Sequence, residues 1–311
     1  SVWGQVPATT GNVYWVAPAD TYTADGRAYT SSDNNDGLSP ERALRTLAQA
    51  ITLGTAAAAT VAGDTIVLLP GDHTITAQAT LSKAGMTLMG IPGGKGNPQR
   101  KITTLTSSAA DEILGVTAAN VEIANIHFIA VTAQACVEFS NAADHLYIHD
   151  CSFDMFTAAV STSTLGLLSL GTAGGVKNLL VEDCYFESLD AQGPYMDLND
   201  VSYGTIRRVT SRHTGATALA DAYVSATGAV DIFFEDVNIL AGTGAAITDS
   251  FDWTGTTVDG TLQLKNVYLS VSVGVPNASA DADIWVDRAS AVSQIADGAS
   301  AYATANVLNA S

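Results

Sequence analysis

Basic residues are scarce. Thirteen lysines and arginines stand against 31 aspartates and glutamates in 311 residues, a formal charge of −18. That balance excludes a nucleic-acid partner, because affinity for a phosphate backbone is carried by cationic side chains. No stretch approaches the roughly 18 consecutive apolar residues that a membrane-spanning helix needs, which excludes a membrane partner of that kind. Three cysteines make no disulfide framework and leave the redox compartment open. Aromatic residues are only 7 % of the chain, and Trp253 and Trp285 are the only tryptophans beyond its first part. Grooves that hold sugars usually expose several rings. The chain opens on Ser1 rather than Met, which leaves a preceding leader undecided. With 47 % hydrophobic residues it can still bury a large core, so the expectation is a soluble, acid-coated particle.

What is present is a repeat. The stretch from His145 to Phe153, HLYIHDCSF, shares its pattern with Val121–Phe128, Leu179–Phe186, Gly204–Ser211, Ile232–Ile239 and Leu262–Leu269. Aligned on Ile123, Ile148, Val181, Ile206, Phe234 and Leu264, the units are 25, 33, 25, 28 and 30 residues apart, a solenoid period. MTLMGI, from Met86 to Ile91, fits once more with Leu88 at the centre. In the type unit apolar residues sit at the centre and two before it, Ile148 and Leu146, then three and five after it, Cys151 and Phe153, and most other units follow. A strand changes parity in that way only through a bend. At the bend stand Asn125, Asp150, Asp183, Arg208, Asp236 and Asn266, with Gly90 in the extra unit. Most of these types tolerate the left-handed region. The unit reads as strand, corner, strand, return loop, and the corner residues are expected to form a ladder.

Ahead of the repeat, Asn12–Val16 reads as a strand. Ser39 and Pro40 then suit the start of a helix whose stripe is Ala43, Leu44, Leu47, Ala48 and Ile51. A solenoid needs its open end covered, and this helix is the expected cap. The chain divides into an N-terminal strand, polar loop and capping helix (1–62), parallel coils (63–270), and closing coils with a tail (271–311).

The series YWV, DNNDGLSPERALRTLAQAI, GDTIVLLPG and MTLMGIPGG, followed by iterated VEIANIHF-like units, resembles the pectin-lyase-like right-handed parallel β-helix family over roughly residues 13–269. The resemblance implies an all-β, single-domain solenoid. Its opening looks most like β-helix proteins of marine bacteriophage virions. Pectate-lyase-like relatives carry calcium-binding acids and a basic arginine on one strand face, and polygalacturonase-like relatives carry NTD, DD, HG and RIK signatures. This chain matches neither pattern.

Three groups of polar residues are candidates for chemistry. Arg207 and Arg208 are adjacent, but stacked coils lie about 4.8 Å apart, which sets Arg207 between Glu182 and Glu235 and Arg208 between Asp183 and Asp236, as charge ladders. His145 and His149 have the spacing of a helical zinc pair, yet on a strand they lie about 13 Å apart, too far for one ion. The best site candidates are acids ahead of successive units: Asp197 and Asp200 in YMDLND, Asp221, and Asp249 and Asp252 in TDSFDW. Carboxylates along one strand face would suit a glycosidase acid and base, or calcium.

The leading expectation is a non-catalytic structural protein of a bacteriophage virion, a capsid decoration, head fibre or tail component. Its partners would be other virion proteins and copies of itself, with a homotrimer favoured by family analogy. The rival is an extracellular or tailspike-like polysaccharide lyase or hydrolase, secreted or at the cell surface and bound to a glycan. A bacterial surface adhesion module is the third reading.

Cys151 and Cys184 share the repeat position that elsewhere holds Ile126, Val209, Val237 and Val267. They are expected to be buried thiols, slow to react with a labelling reagent in the native protein. Replacing either with Val should change stability by less than about 1.5 kcal/mol in chemical denaturation.

Overall fold

The central residues of the repeat form one inward row. The computed structural model describes residues 11–24, 26–56, 63–92, 102–108, 112–130, 135–155, 165–171, 175–188, 193–215, 217–225, 228, 231–242, 246–253, 260–270, 273, 277–278, 282–286 and 307–309. Within it Ile66, Leu88, Ile123, Ile148, Val181, Ile206, Phe234 and Leu264 lie in register on successive parallel strands. None is more than 3 % exposed.

Parallel pairing requires a crossover, and the remainder of each coil supplies it. The chain leaves an 11-stranded first sheet at the corner and adds a strand to an eight-stranded second sheet. It then adds one to an eight-stranded third sheet before returning. The architecture is the expected parallel β-helix, with one correction: the return loop holds a third strand. Those strands, such as Leu114–Val116, Met196–Asp197 and Ile247–Trp253, range from two to seven residues. Their irregular length and broken alternation hid them from a period-two search.

All six corner residues adopt the left-handed region, with φ between 52° and 58°. Gly90 does not. It ends the strand Thr87–Gly90 in extended form, where an added Cβ would collide with the Asn125 carbonyl oxygen of the next coil. A second left-handed ladder, three residues before each centre, closes the coil on its other side: Gly63, Gly85, Asn120, His145, Asn178, Tyr203 and Asp231. Its mixed composition concealed it, although its offset from the centre is constant.

The cap begins later than expected. Pro40–Arg42 forms a single 3-10 turn, Ser39 makes no capping bond, and Ala43 is extended. The α-helix is Leu47–Ala56. Its start is set by Thr46, whose hydroxyl accepts from the Gln49 amide at 3.2 Å and donates to Asp33 at 2.9 Å. Ala43 and Leu44 are buried but precede the helix, and Ala48 faces solvent. At the far end of the helix Lys83 donates to the Gly54 carbonyl at 2.8 Å and pairs with buried Asp64 at 2.9 Å. Asp64 also accepts from the Asn12 amide at 2.8 Å, fastening the first strand, Val13–Val16.

Register also stacks the core. Phe128, Phe153 and Phe186 occupy one row of the second sheet, with ring centroids 5.0 and 4.4 Å apart and planes nearly parallel. The next member of the row is Ser211, too small to continue the stack. Tyr223 enters from the third sheet, stacks on Phe251, and shares a 2.6 Å hydrogen bond with the Ser211 hydroxyl. Trp253 is buried in this core as well. Cys151 and Cys184 are buried free thiols in the column read from the sequence.

Both groups of the Ser211–Tyr223 bond are fully buried. Ser211→Ala should therefore destabilise the fold by about 1–3 kcal/mol, the cost of an unsatisfied phenol. Tyr223→Phe combined with Ser211→Ala should recover much of that loss. Denaturation of the two variants measures both outcomes.

Candidate active site

The third sheet gathers four of the five candidate acids. Asp197 ends its strand Met196–Asp197, Asp221 lies within Leu219–Val224, and Asp249 and Asp252 lie within Ile247–Trp253. In the last two strands the alternation breaks at consecutive buried pairs, Ala222–Tyr223 and Ser250–Phe251, leaving the acids half-buried. Asp221 stands directly opposite Asp249, while Asp252 stands opposite Val224, which in turn stands opposite Asp197. Asp221 and Asp249 are thus one coil apart, about 4.8 Å, and Asp197 and Asp252 two coils apart, about 9.6 Å between backbones.

Burial, with repulsion from Asp252 and Asp249, pushes the Asp221 carboxyl up to about 6. Asp197 is also pushed up to about 6, by burial, against a hydrogen bond from the Asn199 amide. Asp200 plays a different part. It is a left-handed corner residue, 9 % exposed, and packs where Gly175 and Gly228 leave no room for a Cβ. Among the described residues, no three acidic, histidine or cysteine side chains converge as a metal group.

The outer face of the first sheet carries a denser network. In register, His149, Glu182, Arg207, Glu235 and Lys265 alternate in sign. Arg207 donates to Glu182 at 2.5 Å, and Lys265 pairs with Glu235. Arg208 departs from the expected position between Asp183 and Asp236. It grips Asp183 through two bonds of 2.8 Å and Glu182 through one of 2.7 Å, while Asp236 accepts from Asn266 instead. Tyr147 donates to Glu182 and stacks on His149 with centroids 4.3 Å apart.

His149 is the member whose surroundings the sequence did not reveal. Its Nε2 meets Glu122 and its Nδ1 meets Asp150, each at 2.9 Å. Thr87 donates to the other Glu122 oxygen at 3.0 Å. The ring borders a groove of about 350 Å³ shared with Thr87, Glu122, Asn125 and Asp150. Burial opposes its charge, but the bonds to Glu122 and Asp150 outweigh burial and raise its pKa to about 9. For Glu182 burial is likewise outweighed, by Tyr147, Arg207 and Arg208, and its pKa falls to about 2. At neutral pH His149 is an imidazolium with both N–H groups donating, so it has no lone pair for a base or a metal. His145, in its left-handed corner, faces Asn178. The two histidines of the zinc-like spacing thus have separate partners.

Solved structures that share this architecture include several pectin methylesterases. One, crystallised with a hexasaccharide, has a TM-score of 0.58 at 10 % identity, covering 91 % of this chain and 89 % of its own. PemA from Erwinia chrysanthemi gives 0.54 at 11 %, covering 93 % and 92 %. An Aspergillus niger enzyme gives 0.53 at 14 %, covering 91 % and 86 %. No family model and no curated protein matches the chain. At such identities the likeness is one of fold, the pectin-lyase-like parallel β-helix, and it lends no support to a virion role.

The shifted groups lower stability with rising pH in two separate ranges. An unfolded histidine titrates near 6.5, so the stabilisation from His149 is complete below that pH and lost as pH rises through about 9. For Asp197 and Asp221 the sign is the same at lower pH: folding favours the protonated acid, and stability falls as pH rises from about 3.8 towards about 6. Denaturation across these ranges should show both declines. His149→Gln should remove the alkaline one alone, and an alkaline profile that survives the substitution would contradict the assignment.

Proposed function

We propose that this chain acts on a polysaccharide outside the cell, cleaving glycosidic bonds at the outer face of the third sheet. Asp221 is the proton donor and Asp249 its partner carboxylate. The observation that carries the reading is the pairing of these two acids in register, with Asp221 in surroundings that hold back its ionisation. A carboxyl raised to about 6 remains partly protonated near neutrality and can protonate a glycosidic oxygen. Their separation of about one coil is close to the roughly 5–5.5 Å of retaining enzymes. Asp249 would attack the anomeric carbon as the leaving sugar takes the Asp221 proton. Water, deprotonated by Asp221, would then release the glycosyl group and restore both acids. Asp252 helps hold Asp221 protonated through repulsion. A surface at −18 repels anionic chains, so the substrate class is neutral glycan.

A second reading is a non-catalytic subunit of a virion or cell surface, with copies of itself as partners. In its favour is the first-sheet network, where His149, Glu182, Arg207 and Arg208 are all engaged by neighbours. A reducing-end assay over neutral and acidic glycans, beside a measurement of oligomeric state, separates the two. The catalytic reading predicts turnover that falls at least about 100-fold in both Asp221→Asn and Asp249→Asn. Absence of turnover together with a stable oligomer would favour the assembly subunit.

A further inference from the structure

A cavity of about 370 Å³ lies far from the acids, between the start of the helix Leu47–Ala56 and the turn that follows the strand Gly71–Ile75. No carboxylate lines it, in a chain with 31 acids, and Arg45 does. The first amides of a helix have no intrahelical acceptor and carry its positive end. Asp33 takes the amides of Arg45 and Thr46 and Thr46 caps that of Gln49, which leaves those of Leu47 and Ala48 without partners among the described residues.

His73 supplies an independent observation. It is 5 % exposed and lines the cavity. Its Nε2 lies 2.7 Å from the Leu69 carbonyl, which can only accept, so Nε2 carries the hydrogen. Nδ1 is then a bare lone pair, with no partner among the described residues. Burial lowers the pKa of the ring, with Arg45 acting in the same direction and Asp72 and the Leu69 bond opposing, which keeps it neutral near pH 7. A bare acceptor beside the helix amides and Arg45 calls for a ligand that is anionic and also carries a hydroxyl.

We infer that this cavity binds a phosphate group that retains a P–OH. Its oxygens take the Leu47 and Ala48 amides and Arg45, and its hydroxyl donates to His73 Nδ1. Sulfate has the same shape and no proton to donate, so it leaves His73 facing an oxygen.

Calorimetric titration of the whole chain near pH 6.5, where phosphates keep a proton, tests the site with inorganic phosphate, methyl phosphate and sulfate. Phosphate should bind saturably, and sulfate at least about tenfold more weakly, since a sulfate oxygen would face the Nδ1 lone pair where phosphate donates a hydrogen bond. The rank of methyl phosphate against inorganic phosphate distinguishes an ester from the free ion as natural occupant. Arg45→Ala should weaken phosphate binding about tenfold. Arg45 also pairs with exposed Asp20 at 2.5 Å, so Asp20→Asn, which breaks that pair and keeps the arginine, should leave binding intact or tighter. His73→Gln should narrow the gap between phosphate and sulfate. No saturable phosphate binding, equal affinity for sulfate, or indifference to Arg45→Ala would each overturn the inference.

Discussion

Parallel strands stacked in register bring every side chain within about 4.8 Å of its counterpart in the next coil. At that distance neighbours must be compatible, and the constraint acts on the core, the corners and the surface at once. Inside, it makes columns: branched aliphatics and Phe234 at the centre of the first sheet, phenyl rings in the second, and two thiols among aliphatic residues at the corner. A column that changes size needs a filler from another wall, as Tyr223 fills beside Ser211. At the corners it demands the same backbone turn in coil after coil, supplied mostly by asparagine and aspartate.

On the outside the same constraint sorts charge in two ways. Along the first sheet the signs alternate, and the result is a set of ion pairs with carboxylates held ionised and an imidazole held protonated. Along the third sheet acids follow acids. Asp221 faces Asp249 with Asp252 nearby, and the repulsion joins burial in raising one carboxyl towards neutrality. In the first arrangement the imidazolium protons are engaged by Glu122 and Asp150, whereas in the second a carboxyl stays partly protonated near neutrality. That contrast, more than the number of acids, selects the third sheet as the place for acid and base chemistry.

The parts of this plan with a strict period were legible in the sequence. The centres, the first corner and the alternating charge row all sit at fixed offsets and were recoverable by aligning six segments. The third sheet was not, because strands of two to seven residues with paired buried positions lack a period of two. The second corner carries no such signal, because histidine and tyrosine stand where a turn residue is expected. Of the five acids, four share a face. Asp200, three residues from Asp197, is taken up by a turn that only the close approach of two glycines reveals. The surroundings of His149 depended on which neighbours its ring meets across coils, and no spacing encodes that.

If register fixes the corner, the left-handed backbone at the corner is what every coil depends on, and Asn125 isolates that demand, with φ of 58°. The most direct measurement is the unfolding free energy of Asn125→Gly and Asn125→Val beside the parent. Glycine enters the left-handed region freely, whereas a β-branched residue there costs about 1–2 kcal/mol or more. The account predicts that glycine leaves stability within about 0.5 kcal/mol of the parent and valine lowers it by at least about 1 kcal/mol. Equal stabilities of the two variants would contradict it.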